Sequence, residues 1–190
     1  MELPDIKVKR KTGKEKFEFK NNTLNFDLSE FWSWNQSDLI ENRTRGILAE
    51  FIVKKALEIK NKNRIEWDDY DLVTEKGTKI EVKSGAYIQT WEQKKYSNIT
   101  FNIPKTAGNK ENPNYNGTHQ RWSDFYVFCL LDCKSQKEIN PMDLEQWTFY
   151  VLKTKILNEK VGNQKSISLN SLLKLNLKTA TFKELKKVII

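Results

Sequence analysis

The chain has 190 residues, with 33 Lys and Arg against 25 Asp and Glu, a net charge of +8 and a pI near 9.3. That length suffices for one domain with a sizeable core, and a 12% aromatic share argues for a folded protein. No 18-residue apolar run exists, so no membrane-crossing helix is expected, and the polar, lysine-rich first twenty residues hold no signal-peptide core. The expectation is a cytoplasmic protein with an anionic partner, because a basic surface speeds encounter with nucleic acid and supplies phosphate contacts.

Residues 1–30 read as an N-terminal extension: a basic arm from Lys7 to Lys16, then strand-like pieces at 17–20 and 24–28. The aromatic cluster Phe31-Trp32-Ser33-Trp34 precedes a helix start, with Ser37-Asp38 as its cap. One helix, or a broken pair, is predicted over about 38–60. Its apolar arc, Ile47, Leu48, Phe51, Ile52, Ala56 and Ile59, predicts packing against a sheet. Glu50, Lys54 and Glu58 fall four residues apart on that helix, which also fits a solvent-facing charged stripe with Glu50 paired to Lys54.

Hairpin strands follow near 66–74 and 78–84, then a third strand over 98–103 that Pro104 ends. Residues 105–121 form a long polar loop, a length that points to a functional segment or to disorder. The run Asp-Phe-Tyr-Val-Phe-Cys-Leu-Leu at 124–131 signals a buried strand, and 147–152 another. Helices near 153–160, 168–176 and 181–189 complete the chain. A helix, then strands, then mixed elements is an α/β order, with α+β as the variant. No repeat or linker interrupts it, so 1–190 reads as a single domain, with a core of about 38–131 and C-terminal additions over 132–190.

The hairpin carries the chemistry. In Ile80-Glu81-Val82-Lys83 the side chains alternate faces, so Glu81 and Lys83 share one face and Ile80 and Val82 the other. A two-residue turn at Lys76-Gly77 would set Asp71 against Val82. A three-residue loop, Glu75-Lys76-Gly77 with a left-handed glycine, sets Asp71 against Glu81. Two carboxylates suit a hard cation such as Mg²⁺, and a lysine beside them suits an attacking water or a phosphate oxyanion. The competing reading is a solvated strand face with cross-strand ion pairs.

Other chemistries find little support. Cys129 and Cys133, four apart, with the single His119 elsewhere, do not make a zinc site and read as buried thiols. No cysteine–histidine pair or Asp-His-Ser set supports a nucleophile, and no glycine-rich phosphate cradle supports an NTPase.

These residues resemble the PD-(D/E)XK nuclease superfamily, whose pattern is an acid, a variable spacer and acid-x-Lys, with a further acid from an upstream helix. Asp71, Glu81 and Lys83 match the first three, and Glu50 in Arg45-Gly-Ile-Leu-Ala-Glu50-Phe matches the upstream acid. Tyr70 stands where the family name puts proline. The resemblance implies a restriction-endonuclease-like core, a central mixed β-sheet flanked by helices. It implies catalytic roles for Glu50, Asp71, Glu81 and Lys83, and Mg²⁺ or Mn²⁺ held by Asp71, Glu81 and the Val82 carbonyl. Glu50 would act behind the ligands or through a water. The Gln-x-x-x-Tyr pattern of related exonucleases is missing, since Gln93 is followed by Ser97 and Gln89 by Gln93.

Tyr87, Gln89 and Trp91, spaced by two, would line the cleft mouth or simply share a strand face. Arg43, Arg45, Lys94, Lys95, Lys105, Lys110 and Arg121 are the cations expected around a duplex. The resulting expectation is a metal-dependent DNA endonuclease, with a homodimer as one way to cut both strands of duplex DNA. The alternatives are a catalytically inactive nucleic-acid-binding module and a regulatory subunit of a larger restriction or defence complex.

Overall fold

The structure is a computed structural model that describes residues 3, 6, 8–60, 63–64, 69–108 and 117–190. The expected start of the hairpin strand near 66, and Lys7 and Lys110, lie outside the described residues. The elements run β1 (Lys16–Phe19), β2 (Asn22–Asp27), α1 (Leu28–Gln36), α2 (Asn42–Ala56), β3 (Leu72–Val73), β4 (Lys79–Ala86), β5 (Thr100–Asn102) and β6 (Phe125–Leu131). They continue through β7 (Trp147–Lys153), α3 (Thr154–Val161), β8 (Ser166–Ser168), α4 (Leu169–Leu172), β9 (Lys178–Ala180) and α5 (Leu185–Ile189).

A mixed five-stranded sheet in the order β3-β4-β6-β7-β9 forms the centre, with β4 and β6 parallel and the other neighbours antiparallel. Strand alternation sorts its side chains into two apolar layers. On one face Ile80, Val82, Val127, Cys129, Leu131, Phe149 and Val151 pack with Ala49, Ile52 and Val53 of α2 and Leu185 and Ile189 of α5. On the other, Tyr126, Phe128, Leu130 and Leu152 pack with Phe101 of β5, Ile167 of β8, Leu157 of α3 and Leu172 of α4. The fold is α/β, with a central mixed sheet flanked by helices. Among the described residues no helix is long and apolar enough to cross a membrane.

Several sequence expectations shift. The aromatic cluster lies on a helix of its own, α1, because Asp27 and Glu30 form a capping box at its start. α2 then begins at Asn42, its first amides capped by the Glu41 carboxylate rather than by Asp38. Its buried stripe runs through Ala49, Ile52 and Val53, so Phe51, expected inside, is 54% exposed. The strand expected over 98–103 does not join the central sheet. Its core, β5, pairs with β8 instead, a strand that Ser166–Ser168 does not announce.

Arg121 explains how that side pair is held. It was expected on a DNA-facing surface, but it is buried, and the correction has a clear cause. Its Nε donates to the Ile103 carbonyl at 2.8 Å, Nη1 to Asn158 Oδ1 at 2.6 Å and the Gly162 carbonyl at 3.0 Å, and Nη2 to the Gln164 carbonyl at 2.9 Å. One guanidinium thus joins the end of β5 to the α3–β8 turn and satisfies the carbonyl of the buried Ile103 and those of two residues in the exposed turn.

Candidate active site

The β3–β4 connection has the odd loop. Leu72 faces Ile80 and Val73 faces Lys79, and the Thr74 amide donates to the Thr78 carbonyl at 2.9 Å. Glu75, Lys76 and Gly77 form the loop, with Gly77 at φ +85. A Cβ there would meet nothing within 4 Å, so its backbone angle alone calls for glycine.

Counting on along the ladder brings Asp71 across from Glu81. The ladder loosens at that point, since the Asp71 amide donates to the Ile80 carbonyl at 3.1 Å. β3 is only two residues long, so the β4 edge beyond Ile80 has no strand beside it among the described residues. The Asp71 carboxylate fills part of that edge, and the Val82 amide donates to its Oδ2 at 2.7 Å. In a strand the N–H and C=O of one residue point to the same side. The Val82 carbonyl is therefore turned toward the edge that Asp71 occupies.

Glu81 and Lys83 project from the opposite face to Val82, beside Tyr126 and Phe128 of β6. Lys83 Nζ pairs with Glu81 Oε1 at 2.5 Å, and both side chains are largely covered. Glu50 comes from α2. Its partner is Arg64, whose Nε donates to Oε2 at 2.6 Å and Nη2 to Oε1 at 3.0 Å. The carboxylate of Glu50 is 12% exposed and the Arg64 side chain 37%, so this forked pair sits at the rim with its acid turned inward.

The charges of these groups reach one another. Burial, and then the charge of Asp71, push the Glu81 carboxyl up to about 7, against the pull of Lys83. Burial works to lower the Lys83 ammonium, but Glu81, Asp71 and Glu50 outweigh it and raise its proton affinity. Burial also raises Glu50, with Arg64 opposing and Asp71 adding. Three carboxylates therefore share one crowded field with a lysine that stays protonated. Among the described residues no three His, Cys, Asp or Glu groups converge tightly enough to hold a metal ion. In this arrangement Glu50 is turned to Arg64 and Glu81 to Lys83.

A family model described as bacteriophage T4 endonuclease IV matches residues 1–171. The chain belongs to this family. No curated protein matches it. The endonuclease IV match runs from the N-terminal arm into α4 and takes in Glu50, Asp71, Glu81 and Lys83. Only β9 and α5, which close one edge and one face of the sheet, lie beyond it.

The residues expected to touch nucleic acid divide. Arg45 is buried at the start of α2, where Nη1 donates to the Ile40 carbonyl at 2.6 Å and to Gln89 Oε1 at 3.2 Å, and Nη2 to Asn42 Oδ1 at 2.6 Å. Gln89 is buried with it, and its Nε2 donates to the Ala86 carbonyl and to Ser97 Oγ. Both hold the end of β4 to α2, which corrects the expectation of a surface role. Arg43, Trp91, Lys94 and Lys95 are exposed, and Lys105 is half-buried. Tyr87 is half-buried, with Lys134 Nζ 4.4 Å from its ring centroid and Tyr96 edge-on beside it. Sequence reasoning missed Arg64. Glu50 and Arg64 are 14 positions apart, and no periodicity links them.

Proposed function

We propose that this chain is a metal-dependent DNA endonuclease of the PD-(D/E)XK type. The observation that carries the reading is the grouping of Asp71, Glu81 and Lys83 on and beside the open edge of β4, with burial and the charge of Asp71 raising the proton affinity of Glu81. Paired carboxylates that repel in a covered site are a donor set suited to a hard divalent cation, and the Val82 carbonyl faces the same edge. Asp71, Glu81 and the Val82 carbonyl would hold Mg²⁺ or Mn²⁺. When bound, that ion polarises a phosphate oxygen and lowers the proton affinity of a bound water.

The chain's own groups supply the rest. Lys83 keeps its proton at neutral pH, so its Nζ acts as a fixed cation that hydrogen-bonds water or offsets charge growing on the phosphate. It does not serve as the base. Glu81, near neutral only while no cation is bound, would serve as a ligand rather than as the base once Lys83 turns to substrate. Glu50, gripped by Arg64, adds its charge to the field that Asp71, Glu81 and Lys83 share. The deciding experiment incubates purified protein with plasmid, linear duplex and single-stranded DNA and with RNA, in Mg²⁺, Mn²⁺ and EDTA. Cleavage of DNA that EDTA abolishes supports the reading. Binding without cleavage in any metal would make the chain an inactive module or a subunit.

A stability measurement tests the site without turnover. The proton affinity of Glu81 in the folded chain, near 7, lies above its ordinary value of 4.5. The folded state therefore holds an extra proton between those values. The stability it contributes is complete below 4.5 and is lost as pH rises through about 7. Urea unfolding of Glu81→Gln and wild type should diverge in favour of the glutamine over that window, by roughly 3 kcal/mol. A pH-independent difference would contradict the crowding of carboxylates.

The same comparison reads out the cation. At pH 8, Mg²⁺ at about 100 times its Kd should stabilise wild type by roughly 2.7 kcal/mol. It should do much less for Glu81→Gln or Asp71→Asn. Equal stabilisation of all three would place any bound ion elsewhere.

A further inference from the structure

The basic arm ahead of β1 is fixed at both ends. At its far end Gly13 sits under the Trp32 ring, where a Cβ would come within 3.0 Å of Cζ3, and its carbonyl accepts from the Ser29 amide at 2.9 Å. The Glu15 carboxylate ties the Thr12 and Gly13 amides at 2.9–3.1 Å. At its near end the Val8 carbonyl accepts from Asn63 Nδ2 at 3.1 Å. Asn63 directly precedes Arg64, the residue that grips Glu50.

Residues 8–12 are thus a strap stretched from α1 to the rim of the carboxylate site. The strap presents Lys9, Arg10 and Lys11 in succession, all exposed. Among the described residues none of the three is in an ion pair. It passes the last turn of α2, where Lys54 and Lys55 add two more cations. The positive charges are close enough to be felt: burial first, then Arg10 and Lys55, lower the proton affinity of Lys54. A chain that holds cations together against their repulsion, beside an acidic centre, has built a surface for a polyanion.

We propose that the strap, with Lys54 and Lys55, grips the phosphate backbone of the nucleic-acid strand that runs past the carboxylate site. The inference rests on the nuclease reading above. Its partner is the backbone rather than the bases, because flexible, solvated lysines read charge and carry little sequence information.

The test uses the full chain with Asp71→Ala to prevent cleavage, and follows DNA affinity from 50 to 300 mM KCl. The triple variant Lys9→Ala/Arg10→Ala/Lys11→Ala is compared with a charge-matched control, Lys155→Ala/Lys160→Ala/Lys174→Ala, whose lysines are exposed on or just after α3 and α4. Each lost contact should make the log–log salt slope shallower by roughly 0.7 to 0.9. The strap variant should therefore lose about two to three units of slope and roughly 10- to 100-fold in affinity near 100 mM salt. The control should change little.

Equal slopes for the two triples, or no DNA binding by the parent at low salt, would overturn the strap. Cleavage is scored separately on the chain with Asp71 intact. Cutting with an unchanged strap slope leaves the nuclease and removes the strap. A shallower slope in a chain that cuts nothing leaves the strap as a nucleic-acid clamp and removes the nuclease.

Discussion

Replacing Lys83 by alanine is expected to slow phosphodiester cleavage by roughly 10²- to 10³-fold, the loss that follows removal of one fixed donor aimed at developing charge. The fold should survive. Lys83 leaves β4 on the side of Phe128 and, among the described residues, its ion pair is with Glu81, so no backbone group is orphaned. DNA affinity should also survive, because Lys83 is one cation among 33 Lys and Arg. Lys83→Arg separates two roles. A fixed cation is partly preserved by arginine, whereas a geometry tuned to the ammonium is not. Single-turnover cleavage at matched thermal stability is the measurement. A Lys83→Ala chain that cuts as fast as wild type would assign any activity to another site.

The largest stability effect should come from a residue with no part in the chemistry. Arg121→Ala removes four hydrogen bonds at once and strands the carbonyls of Ile103, Gly162 and Gln164. The buried Ile103 acceptor costs about 1 to 3 kcal/mol when left unsatisfied, while water replaces the bonds to the exposed Gly162 and Gln164 at small cost, so the total is at most about 3 kcal/mol. For a chain of this size that upper value lowers Tm by roughly 6 to 12 °C. Lys9→Ala, an exposed cation of the arm, should move Tm hardly at all. A Tm for Arg121→Ala equal to that of wild type, with weaker DNA binding, would restore the surface role first expected for Arg121.

The hairpin was legible because its chemistry is local. Gly77 selects the loop, the loop selects the register, and alternation then decides which face Glu81 and Lys83 take. β6 and β7 were legible for a related reason, as each reads as a dense apolar strand on its own. What escaped depended on partners distant in sequence. β8 and β9 are three residues each and exist as strands because β5 and β7 offer them an edge. α1 escaped although its signal was present. Asp27 and Glu30 stand at capping-box spacing, but the aromatic residues that follow bury no face and so show no helical stripe. Arg45 and Arg121 were misplaced because net charge counts cations without regard to the carbonyls that fold around some of them. Helical spacing offered Lys54 as one partner for Glu50, while Arg64, which grips it, arrives from a segment that carries no pattern.

The two cysteines give this protein an internal clock. Cys129 lies in β6 at the middle of the sheet, fully buried, and burial pushes its thiol well above the ordinary range. Cys133, two residues past the strand, is half-buried, its Sγ set against the Ser135 carbonyl. Thiolate is the reactive form, so a labelling reagent should modify Cys133 from the native state. It should meet Cys129 only when β4, β6 and β7 separate. The slow phase of labelling then counts openings of the sheet in native buffer. It would show whether DNA or a divalent cation, once bound, holds the layers together.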